Sequence, residues 1–351
     1  MDVFAANSVD DLASFVATGV PLSVHSRVSA LADVTSIDLR KLCSILAYPA
    51  ADMTITVQSG VTVAAIQTAL AEHNQHLPID VAEPETTSIG DAVAWNLNGS
   101  RRFGYGTFRD YVIGVSAIDG QGRLFKSGGQ VVKNVAGYDL CKLLTGSHGT
   151  LGVITQLTFK VLPRPVATGG VRILFESPSD AEPVLEKLTV SGTRPIAIDL
   201  VVDEGQTSLV VVFNGTEAEV LWQQDELRKE VGSGAFSTMT SQDVVDHLRC
   251  TSTLHQPDAR RFIAGLRPTV VTRFVQQANC PTAVAHAGNG IVVGDSDSLH
   301  AVRSMADGLG GWCRANAIDS QPFVAGTMSG TMRKVKQAFD PSGTLNAHIE
   351  L

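Results

Sequence analysis

Hydrophobic and polar positions along the chain predict short helices and strands in alternation. Residues 8–18 combine a capping serine and two aspartates with apolar positions at helical spacing, and residues 63–70 repeat an apolar face in the same way. Residues 53–58 alternate apolar and polar side chains, as a half-buried strand does. Residues 111–118 and 123–126 predict two strands joined by a hairpin loop. This part of the chain therefore mixes strands and helices in one domain.

The pattern changes after Pro163-Arg164-Pro165. Predicted strands cover residues 171–175, 196–202, 209–213, 270–275, 283–285 and 291–293, and predicted helices cover residues 180–188, 217–230 and 240–265. This order favours a small antiparallel sheet with helices on one face. We expect a first domain over residues 1–165, a second over 166–330, and a C-terminal segment over 331–351 that returns to the first domain.

Residues 129–165, which end at the proline break, carry five glycines among apolar and β-branched residues. Because glycine has no Cβ, its backbone approaches a bulky ligand closely and adopts turns that aim N–H groups at it. The central glycine and hydroxyl residues of this stretch are Gly146, Ser147, Gly149, Thr150 and Gly152. A strand is predicted immediately afterwards, at residues 153–161. The stretch is interpreted either as a loop that cradles a ligand or as a hairpin with glycine turns.

Two common nucleotide-binding motifs are missing from this stretch. In the dinucleotide-binding fingerprint the glycines follow a strand and open a helix, whereas in this chain they precede a strand. No glycine pair is followed by the Gly-Lys-Ser or Gly-Lys-Thr of a phosphate-binding P-loop. A Ser-His-Asp hydrolase is disfavoured too, because Ser147 and His148 are adjacent and lack a strand-to-helix elbow.

Residues 128–165, GGQVVKNVAGYDLCKLLTGSHGTLGVITQLTFKVLPRP, resemble an FAD-binding subunit of bacterial glycolate oxidase. Residues 87–99, TSIGDAVAWNLNG, are similar to a second flavin loop of that family. Residues 48–60 and 339–346 are similar to its strand before a short helix and to its closing motif. The resemblance runs from about residue 10 to 165 and resumes near the C-terminus.

The resemblance implies an α+β fold of the vanillyl-alcohol-oxidase type. A PCMH-type FAD-binding domain of two α+β subdomains would be followed by a cap domain with an antiparallel sheet. FAD would be the cofactor. The residues implied to line it are Ile89, Gly90, Gly146, Ser147, Gly149, Thr150, Gly152, Ile154 and Asn346.

The chain departs from the family at two places. The family's glycine-rich pyrophosphate loop corresponds to residues 21–30, PLSVHSRVSA, which contain no glycine. Val28 would place a side chain where backbone N–H groups should meet phosphate, although Ser26, Arg27 and Ser29 would supply other donors. A second glycine of the family after Gly90 is Asp91 in this chain, a carboxylate that would repel phosphate unless it is paired.

Composition excludes several classes of protein. The 351 residues are 44% hydrophobic and 18% charged, which is typical of a folded enzyme and leaves room for two domains. A net charge of −8 without a basic stripe argues against nucleic-acid binding. No apolar run reaches the roughly 20 residues of a membrane span, and no secretory signal opens the sequence, so a cytoplasmic location is expected. Peripheral attachment to a membrane through partners stays open.

No metal site is expected in this chain. The cysteines are scattered at positions 43, 141, 250, 280 and 313 and form no CxxC pair, so an iron–sulfur cluster or structural zinc is disfavoured. His73 and His76 are interpreted as exposed helix-end residues, because no carboxylate or thiolate ligand accompanies them. If electrons leave the chain through a cluster, that cluster belongs to another subunit.

His286, in the sequence His286-Ala287-Gly288-Asn289-Gly290, is the candidate catalytic residue, and a turn that serves sheet geometry is the competing interpretation. The resemblance implies an FAD-dependent oxidoreductase subunit that helps to oxidise a short 2-hydroxy acid. Its partners would be a second flavoprotein subunit and an iron–sulfur subunit. The alternative is a non-catalytic scaffold that keeps the flavin fold but has a degenerate pyrophosphate site.

Overall fold

The computed structural model divides into two compact units. The first unit comprises Met1–Leu97, Thr107–Arg164 and Ser320–Leu351, and the second comprises Asn98–Gly106 and Pro165–Asp319. The residues that the structure describes are 2–24, 34–129, 138–232, 235–253, 260–315, 328–347 and 349. The division of the chain at residues 166 and 331 stays a prediction.

Strands and helices alternate along most of the chain. Up to the proline break they are β1 (Val3–Ala5), α1 (Val9–Val16), β2 (Leu22–Ser23), β3 (Thr35–Asp38), β4 (Ile45–Ala47), β5 (Thr54–Gln58), α2 (Val63–Ala71), β6 (Gln75–His76), α3 (Ile89–Ala94), α4 (Arg102–Tyr105), α5 (Phe108–Tyr111), β7 (Val112–Ile118), β8 (Leu124–Gly128), α6 (Leu140–Leu144), β9 (Val153–Lys160) and β10 (Leu162–Pro163). The later elements are β11 (Ala167–Phe175), α7 (Glu182–Val190), β12 (Ala197–Asp203), β13 (Gln206–Gly215), α8 (Glu217–Val231), β14 (Ala235–Met239), α9 (Ser241–Thr253), β15 (Arg261–Gly265), α10 (Val271–Ala278), β16 (Thr282–His286), β17 (Ile291–Asp295), α11 (Leu299–Gly308), β18 (Trp312–Ala315) and α12 (Met328–Phe339). Short 3₁₀ turns lie at Ala50–Asp52, Pro178–Ala181 and Pro268–Val270.

The first unit is built on a five-stranded antiparallel sheet in the order β4-β5-β9-β7-β8. A separate three-stranded parallel sheet has the order β1-β3-β2. Ile55 and Phe159 of the larger sheet, Ile66 and Leu70 of α2, and Phe108 of α5 share one core and are fully buried. Removal of these apolar side chains from water is the main force that holds sheet and helices together.

Side-chain caps fix where the first two helices begin. Ser8 Oγ accepts a hydrogen bond of 3.0 Å from the backbone N–H of Asp11, and Thr62 Oγ1 accepts one of 3.2 Å from that of Ala65. Such a cap satisfies an N–H group that has no partner within the helix. The helices predicted over residues 8–18 and 63–70 are therefore confirmed, with ends set by these caps.

The second unit is built on an eight-stranded antiparallel sheet in the order β14-β11-β13-β12-β16-β17-β15-β18. Its side chains alternate between two buried faces. Leu209, Val211 and Phe213 of β13 point into a core formed with α7, α8, α10 and α11. Val210 and Val212 point to the opposite face and pack with α9. The sheet is antiparallel as predicted, but helices cover both of its faces rather than one.

The segment Asn98–Gly106 belongs to the second unit although it lies within the sequence of the first. The backbone N–H of Gly104 donates to Ile196 O at 3.0 Å, and a Cβ at Gly104 would lie only 2.6 Å from the Cα of Ile196. The hydroxyls of Ser100 and Thr251 share a hydrogen bond of 3.0 Å. Glycine at position 104 is thus required for this close approach.

Two predicted elements are wrong. The β-branched side chains of residues 270–275 predict a strand, but these residues lead into α10, in which Val271, Phe274 and Val275 are buried. Spacings of three and four residues place these side chains on one helical face, and tertiary burial outweighs the weak preference of β-branched residues for strands. The helix predicted over 240–265 ends at Thr253, and β15 follows. The α+β class itself is confirmed.

No helix in the described ranges combines the length and the apolar character needed to cross a membrane.

We expect Phe213→Ala to destabilise the second unit by about 3–5 kcal/mol, because it leaves a cavity in a close-packed core. Phe213 is fully buried in that core. The free energy of unfolding is measured by urea denaturation followed by tryptophan fluorescence. Leu174→Ala on the neighbouring strand is the control, since Leu174 is 42% exposed and its loss should cost under about 1 kcal/mol. Equal costs for the two variants would contradict the assignment of Phe213 to the core.

Candidate functional site

The glycine-rich loop of the first unit connects α6 to β9. Gly146 and Gly149 have backbone φ angles of +78° and +70°, which residues other than glycine rarely adopt. A Cβ at Gly149 would also lie 2.5 Å from Val24 O. The loop lies against α3, because the N–H of Gly146 donates to Val93 O at 3.0 Å and that of His148 to Ala94 O at 2.9 Å. The predicted order of a glycine loop before a strand is confirmed.

The start of α3 contains Ile89 and Gly90, which are predicted to line the cofactor. Their backbone N–H groups donate to Val61 O and Ser59 O, each at 2.8 Å. Both amides are therefore used within the protein. What Gly90 offers a ligand is the absence of a side chain.

Asp91 forms part of the cap of α3. Its N–H donates to Ser88 Oγ at 3.1 Å, and Ser88 Oγ donates in turn to Asp91 Oδ2 at 2.6 Å. The carboxylate also lies in the first turn of the helix, where the helix dipole favours negative charge. The departure from glycine at position 91 thus has a local structural role.

Thr150 and Ser147 play different roles in the loop. Thr150 Oγ1 donates to the backbone oxygen of Ser147 at 2.7 Å, which closes the turn. Ser147 Oγ is buried and has no hydrogen-bond partner in the described residues. The same is true of Ser59 Oγ, whose residue is fully buried next to Gly90.

These two hydroxyls provide a test of whether the residues fit a bound cofactor. Buried polar groups in native proteins nearly always have a partner, and an exception calls for an explanation. A polar ligand such as FAD, with many hydrogen-bonding groups, would supply a partner to Ser59, whose backbone oxygen accepts from Gly90, and to Ser147, which follows Gly146. The residues present therefore fit this group.

Asn346 joins three segments of the first unit. Its Nδ2 donates to Val24 O and to His148 O, both at 2.6 Å, and its Oδ1 accepts from the N–H of Val24 at 2.6 Å. The side chain is fully buried, and the φ angle of the residue is +44°. Both amide hydrogens are thus used to hold the glycine loop against the end of β2. Asn346, predicted to contact the cofactor, thus also holds the glycine loop in place.

Lys336 and Asp340 of the C-terminal segment support the same loop. Lys336 Nζ donates to Asp340 Oδ2 at 2.6 Å, to Thr150 O at 2.8 Å and to Leu345 O. The carboxylate of Asp340 accepts from the N–H groups of Thr344 and Leu345 at 2.9 and 2.8 Å. Burial lowers the pKa of Lys336, although the neighbouring Asp340 opposes this shift. The carboxylate and the carbonyls compensate the buried ammonium group.

Gly152 and Ile154 lie where the loop enters β9. Ile154 is fully buried in the core, and a Cβ at Gly152 would lie 3.1 Å from Ile118 O. The pyrophosphate loop predicted at residues 25–30, with Ser26, Arg27, Val28 and Ser29, lies outside the described residues. Its effect on cofactor binding stays a prediction.

His286 lies in the second unit, at the end of β16. Its Nδ1 is 2.7 Å from Asp199 Oδ1, and Asp199 Oδ2 is 2.7 Å from Nε2 of His247 on α9. The side chains of the three residues are between 0% and 4% exposed. No group of three or more histidine, cysteine or acidic side chains in the described residues is arranged to hold a metal ion.

Burial alone would raise the pKa of Asp199. The charge on His286 and the hydrogen bonds from both imidazoles outweigh burial and hold this pKa well below its usual range. Asp199 is therefore a buried carboxylate that stays ionised.

Sequence reasoning missed Asp199, His247 and Ser59. Asp199 stands within the apolar run of residues 196–202, and a carboxylate in such a run is a signal that could have identified it. His247 follows Val244 and precedes Leu248 on the apolar face of α9, a position also typical of a core histidine. No sequence pattern identifies Ser59 as a candidate site residue. It is distinguished only by a structural property, the buried hydroxyl that has no hydrogen-bond partner in the described residues.

The sequence of the chain is similar to a known protein family and to several known oxidoreductases. Residues 7–128 match the family model described as FAD binding domain. Glycolate oxidase subunit GlcE of Escherichia coli is 38% identical over 54% of this chain and 57% of its own length. D-2-hydroxyglutarate dehydrogenase of Xanthomonas citri pv. viticola is 36% identical over 37% of this chain and 27% of its own length. D-lactate dehydrogenase of Anaerostipes hadrus is 33% identical over 48% of this chain and 35% of its own length.

The chain thus matches between about a quarter and three fifths of the length of these relatives. A solved structure of an alkyldihydroxyacetonephosphate synthase superimposes with a TM-score of 0.68 at 16% identity, over 98% of this chain and 76% of that one. This likeness shows the fold alone. The resemblance drawn from the sequence, the PCMH-type α+β fold and FAD as the cofactor of the matched domain are confirmed.

We expect Ser147→Ala to weaken FAD binding by roughly 5- to 30-fold, which corresponds to the loss of one hydrogen bond worth about 1–2 kcal/mol. Without FAD, the free energy of unfolding should stay the same or rise slightly, because the variant removes a buried hydroxyl that has no partner. Flavin fluorescence titration and urea denaturation measure the two quantities. Ser44→Ala, at an exposed serine of the same unit, should change neither. Unchanged FAD affinity in Ser147→Ala would contradict a cofactor contact.

We expect Asn346→Asp to lower the free energy of unfolding of the first unit by about 3 kcal/mol or more, because a carboxylate cannot donate to Val24 O and His148 O. FAD affinity should fall as well, since the glycine loop loses its anchor. Thermal unfolding and flavin titration check both effects. Asn74→Asp is the matched control: Asn74 also has a positive φ angle, +58°, but it is exposed. Similar effects of the two changes would show that the anchor is not needed.

Proposed function

We propose that this chain is an FAD-dependent oxidoreductase subunit that acts on a short 2-hydroxy acid and passes electrons to a partner subunit. The observation that carries the proposal is the cradle in the first unit. There, the buried hydroxyls of Ser59 and Ser147 have no hydrogen-bond partner among the described residues, and each lies next to a glycine, Gly90 or Gly146. The match to the FAD binding domain covers much of the same unit.

The substrate class is supported by what the relatives have in common. They are named for glycolate, D-lactate and D-2-hydroxyglutarate. Each of these compounds carries a hydroxyl group on the carbon next to a carboxylate. The shared chemistry is therefore oxidation of that carbon, and the three compounds differ in the group attached to it.

When bound, FAD supplies a two-electron acceptor for the hydride of this carbon. The residues of the chain have other tasks. Ser59 and Ser147 bind the cofactor through their hydroxyls, and Asn346 and Lys336 hold the loop that contacts it. We assign His286, the candidate catalytic residue, the role of a general base for the hydroxyl proton of the substrate.

The chain's own thiols do not favour a cluster. Burial raises the pKa of Cys141 and of Cys280 to about 11 and that of Cys313 to about 12. Cluster and zinc ligation require thiolates, which a raised pKa disfavours. The thiols of Cys43 and Cys250 are exposed. We therefore propose that an iron–sulfur cluster belongs to a partner subunit. A second flavoprotein subunit is also part of the proposal, which is supported by relatives that are named as subunits of glycolate oxidase.

The test is the absorbance of the purified chain with bound FAD, recorded under anaerobic conditions between roughly 350 and 500 nm, where oxidised flavin absorbs. We expect at least one of glycolate, D-lactate and D-2-hydroxyglutarate to bleach these bands. Acetate, which has the carboxylate but no hydroxyl group, is the control and should leave them unchanged.

The outcomes distinguish a catalytic FAD-dependent subunit from a non-catalytic scaffold, the two functions that the sequence suggested. Bleaching by a 2-hydroxy acid supports a catalytic subunit. Bound FAD that no 2-hydroxy acid reduces, even with the partner subunits present, contradicts the substrate class. A chain that takes up no FAD contradicts the proposal altogether and favours the scaffold.

A further inference from the structure

Helix α8 of the second unit carries large apolar side chains on its outer surface. Leu221 and Trp222 are 62% and 51% exposed. They lie within a well-defined helix, because Thr216 and Glu219 form a capping box at its start. Exposed apolar residues that occur singly are normal on protein surfaces, whereas a contiguous exposed patch points to an interaction.

The inner face of α8 shows the reverse pattern. Gln223 and Gln224, which follow Trp222 directly, are only 6% and 7% exposed. Gln223 Oε1 accepts a hydrogen bond of 2.7 Å from the backbone N–H of Arg194, and Gln224 Nε2 donates to Gly170 O at 2.8 Å. An amphipathic helix normally turns apolar side chains inward and polar ones outward. The buried glutamines are satisfied where they are, so α8 keeps two large apolar side chains outside.

The exposed apolar surface extends to the end of α7. Val190, the last residue of that helix, is 85% exposed. Two residues later, a Cβ at Gly192 would lie 4.0 Å from Cη2 of Trp222, so the indole lies beside the loop that follows α7. The backbone N–H of Gly192 donates to Glu230 Oε1 at 3.2 Å, which attaches this loop to α8. Val190, Leu221 and Trp222 are called the outer patch below.

Acidic side chains surround the outer patch on α8. Residues three and four apart are neighbours on the surface of a helix. The charged residues at these spacings from Leu221 and Trp222 are all acidic, namely Glu217, Glu219, Asp225 and Glu226. Lysine and arginine are absent from residues 216–227. The next cations along the chain, Arg228 and Lys229, lie 3.9 and 3.2 Å from the last two of these carboxylates. The outer patch therefore has an acidic rim towards the start of α8.

This charge pattern discriminates between possible occupants of the patch. A second copy of the chain would bring an identical acidic rim against the first, and the net charge of −8 on each copy adds to the repulsion. A surface with lysine and arginine around an apolar pocket would be attracted instead, because complementary charge speeds association and fixes orientation. Tryptophan in such a pocket is among the side chains that contribute most to binding at protein interfaces.

We propose that the outer patch is the docking surface for the second flavoprotein subunit, which receives Trp222 in an apolar pocket and places lysine or arginine side chains opposite Glu217 and Glu219. The proposal rests on the proposed function, in which this chain works together with that subunit. The FAD cradle belongs to the first unit, so docking and cofactor binding can be measured separately.

The first test measures affinity by isothermal titration calorimetry. The full chain with bound FAD is titrated with the FAD-loaded chain of the same organism that is most similar to glycolate oxidase subunit GlcD. We expect Trp222→Ala to weaken binding by at least about 10-fold, as loss of a central aromatic side chain does, and Trp222→Phe to retain most of the affinity. Leu221→Ala should weaken binding by a smaller factor.

Val245→Ala is the matched control for these variants. Val245 is also an apolar residue on a helix of the second unit and is 48% exposed, but it belongs to α9. It should bind the probe with wild-type affinity. All variants should keep the wild-type midpoint of thermal unfolding, because the replaced side chains are largely exposed. Equal affinities of Trp222→Ala and Val245→Ala would overturn the proposal.

The second test concerns the acidic rim. Glu217→Lys reverses one charge of the rim and should lower the association rate constant by about 10-fold at low salt, as changes of rim charges do. Raising the salt concentration should slow association of the wild type, because salt screens exposed charges. Asp297→Lys, at a side chain of the same unit that is 94% exposed, is the control and should associate at the wild-type rate. Association of Glu217→Lys at the wild-type rate would contradict a basic partner surface.

Light scattering of the chain alone tests the other occupant. We expect the wild type to be a monomer. A wild-type dimer that Trp222→Ala dissociates would overturn the proposal and assign the outer patch to self-association.

Failure of the proposed function gives a different result from failure of the docking surface. If the wild type forms no complex with the probe, the second flavoprotein subunit is removed from the proposed function, and the docking surface falls with it. A complex that forms equally well with every variant keeps that subunit and contradicts the docking surface alone.

Discussion

The first unit depends on the side chain of Asn346. One carboxamide makes three hydrogen bonds of 2.6 Å, two to Val24 and one to His148. A backbone with positive φ angles at Gly146 and Gly149 gains little support from regular secondary structure, so its position has to come from such contacts. Lys336 adds a second attachment through Thr150 O. The shape of the loop is thus set largely by residues far away in sequence.

The second unit organises its polar core around one carboxylate. Asp199 lies in an otherwise apolar strand, where an isolated charge would be strongly unfavourable. Two imidazole donors compensate it, and this requirement ties β12, β16 and α9 together. Apolar packing holds the sheet and its helices together. The carboxylate of Asp199 sets the orientation of two imidazole rings, because it contacts Nδ1 of His286 and Nε2 of His247. Stability and the placement of polar groups therefore come from different interactions.

The sequence predicted those features that local chemistry determines. In the first unit, α1, α2, β5, β7, β8 and β9 followed from residue patterns and capping residues, whereas its other elements were not predicted in this way. The glycine loop before β9 followed from the spacing of Gly146, Gly149 and Gly152. FAD came from a long and specific resemblance. The strand predicted in place of α10 was wrong because β-branched side chains suit a buried helical face as well as a strand. The contacts of Asp199 could not be predicted, since its partners are 48 and 87 residues away and no motif connects them.

The long sequence separations in the first unit have a consequence for synthesis of the protein. Asn346 reaches back 198 residues to His148 and 322 residues to Val24. On a ribosome, the glycine loop and the strand beside it emerge long before the side chain that joins them. Domains generally fold as units while the chain is made, and contacts of high sequence separation form late. The nascent chain must therefore carry the glycine loop without its anchor through translation of the whole second unit, and the loop gains that anchor only once the closing segment has docked.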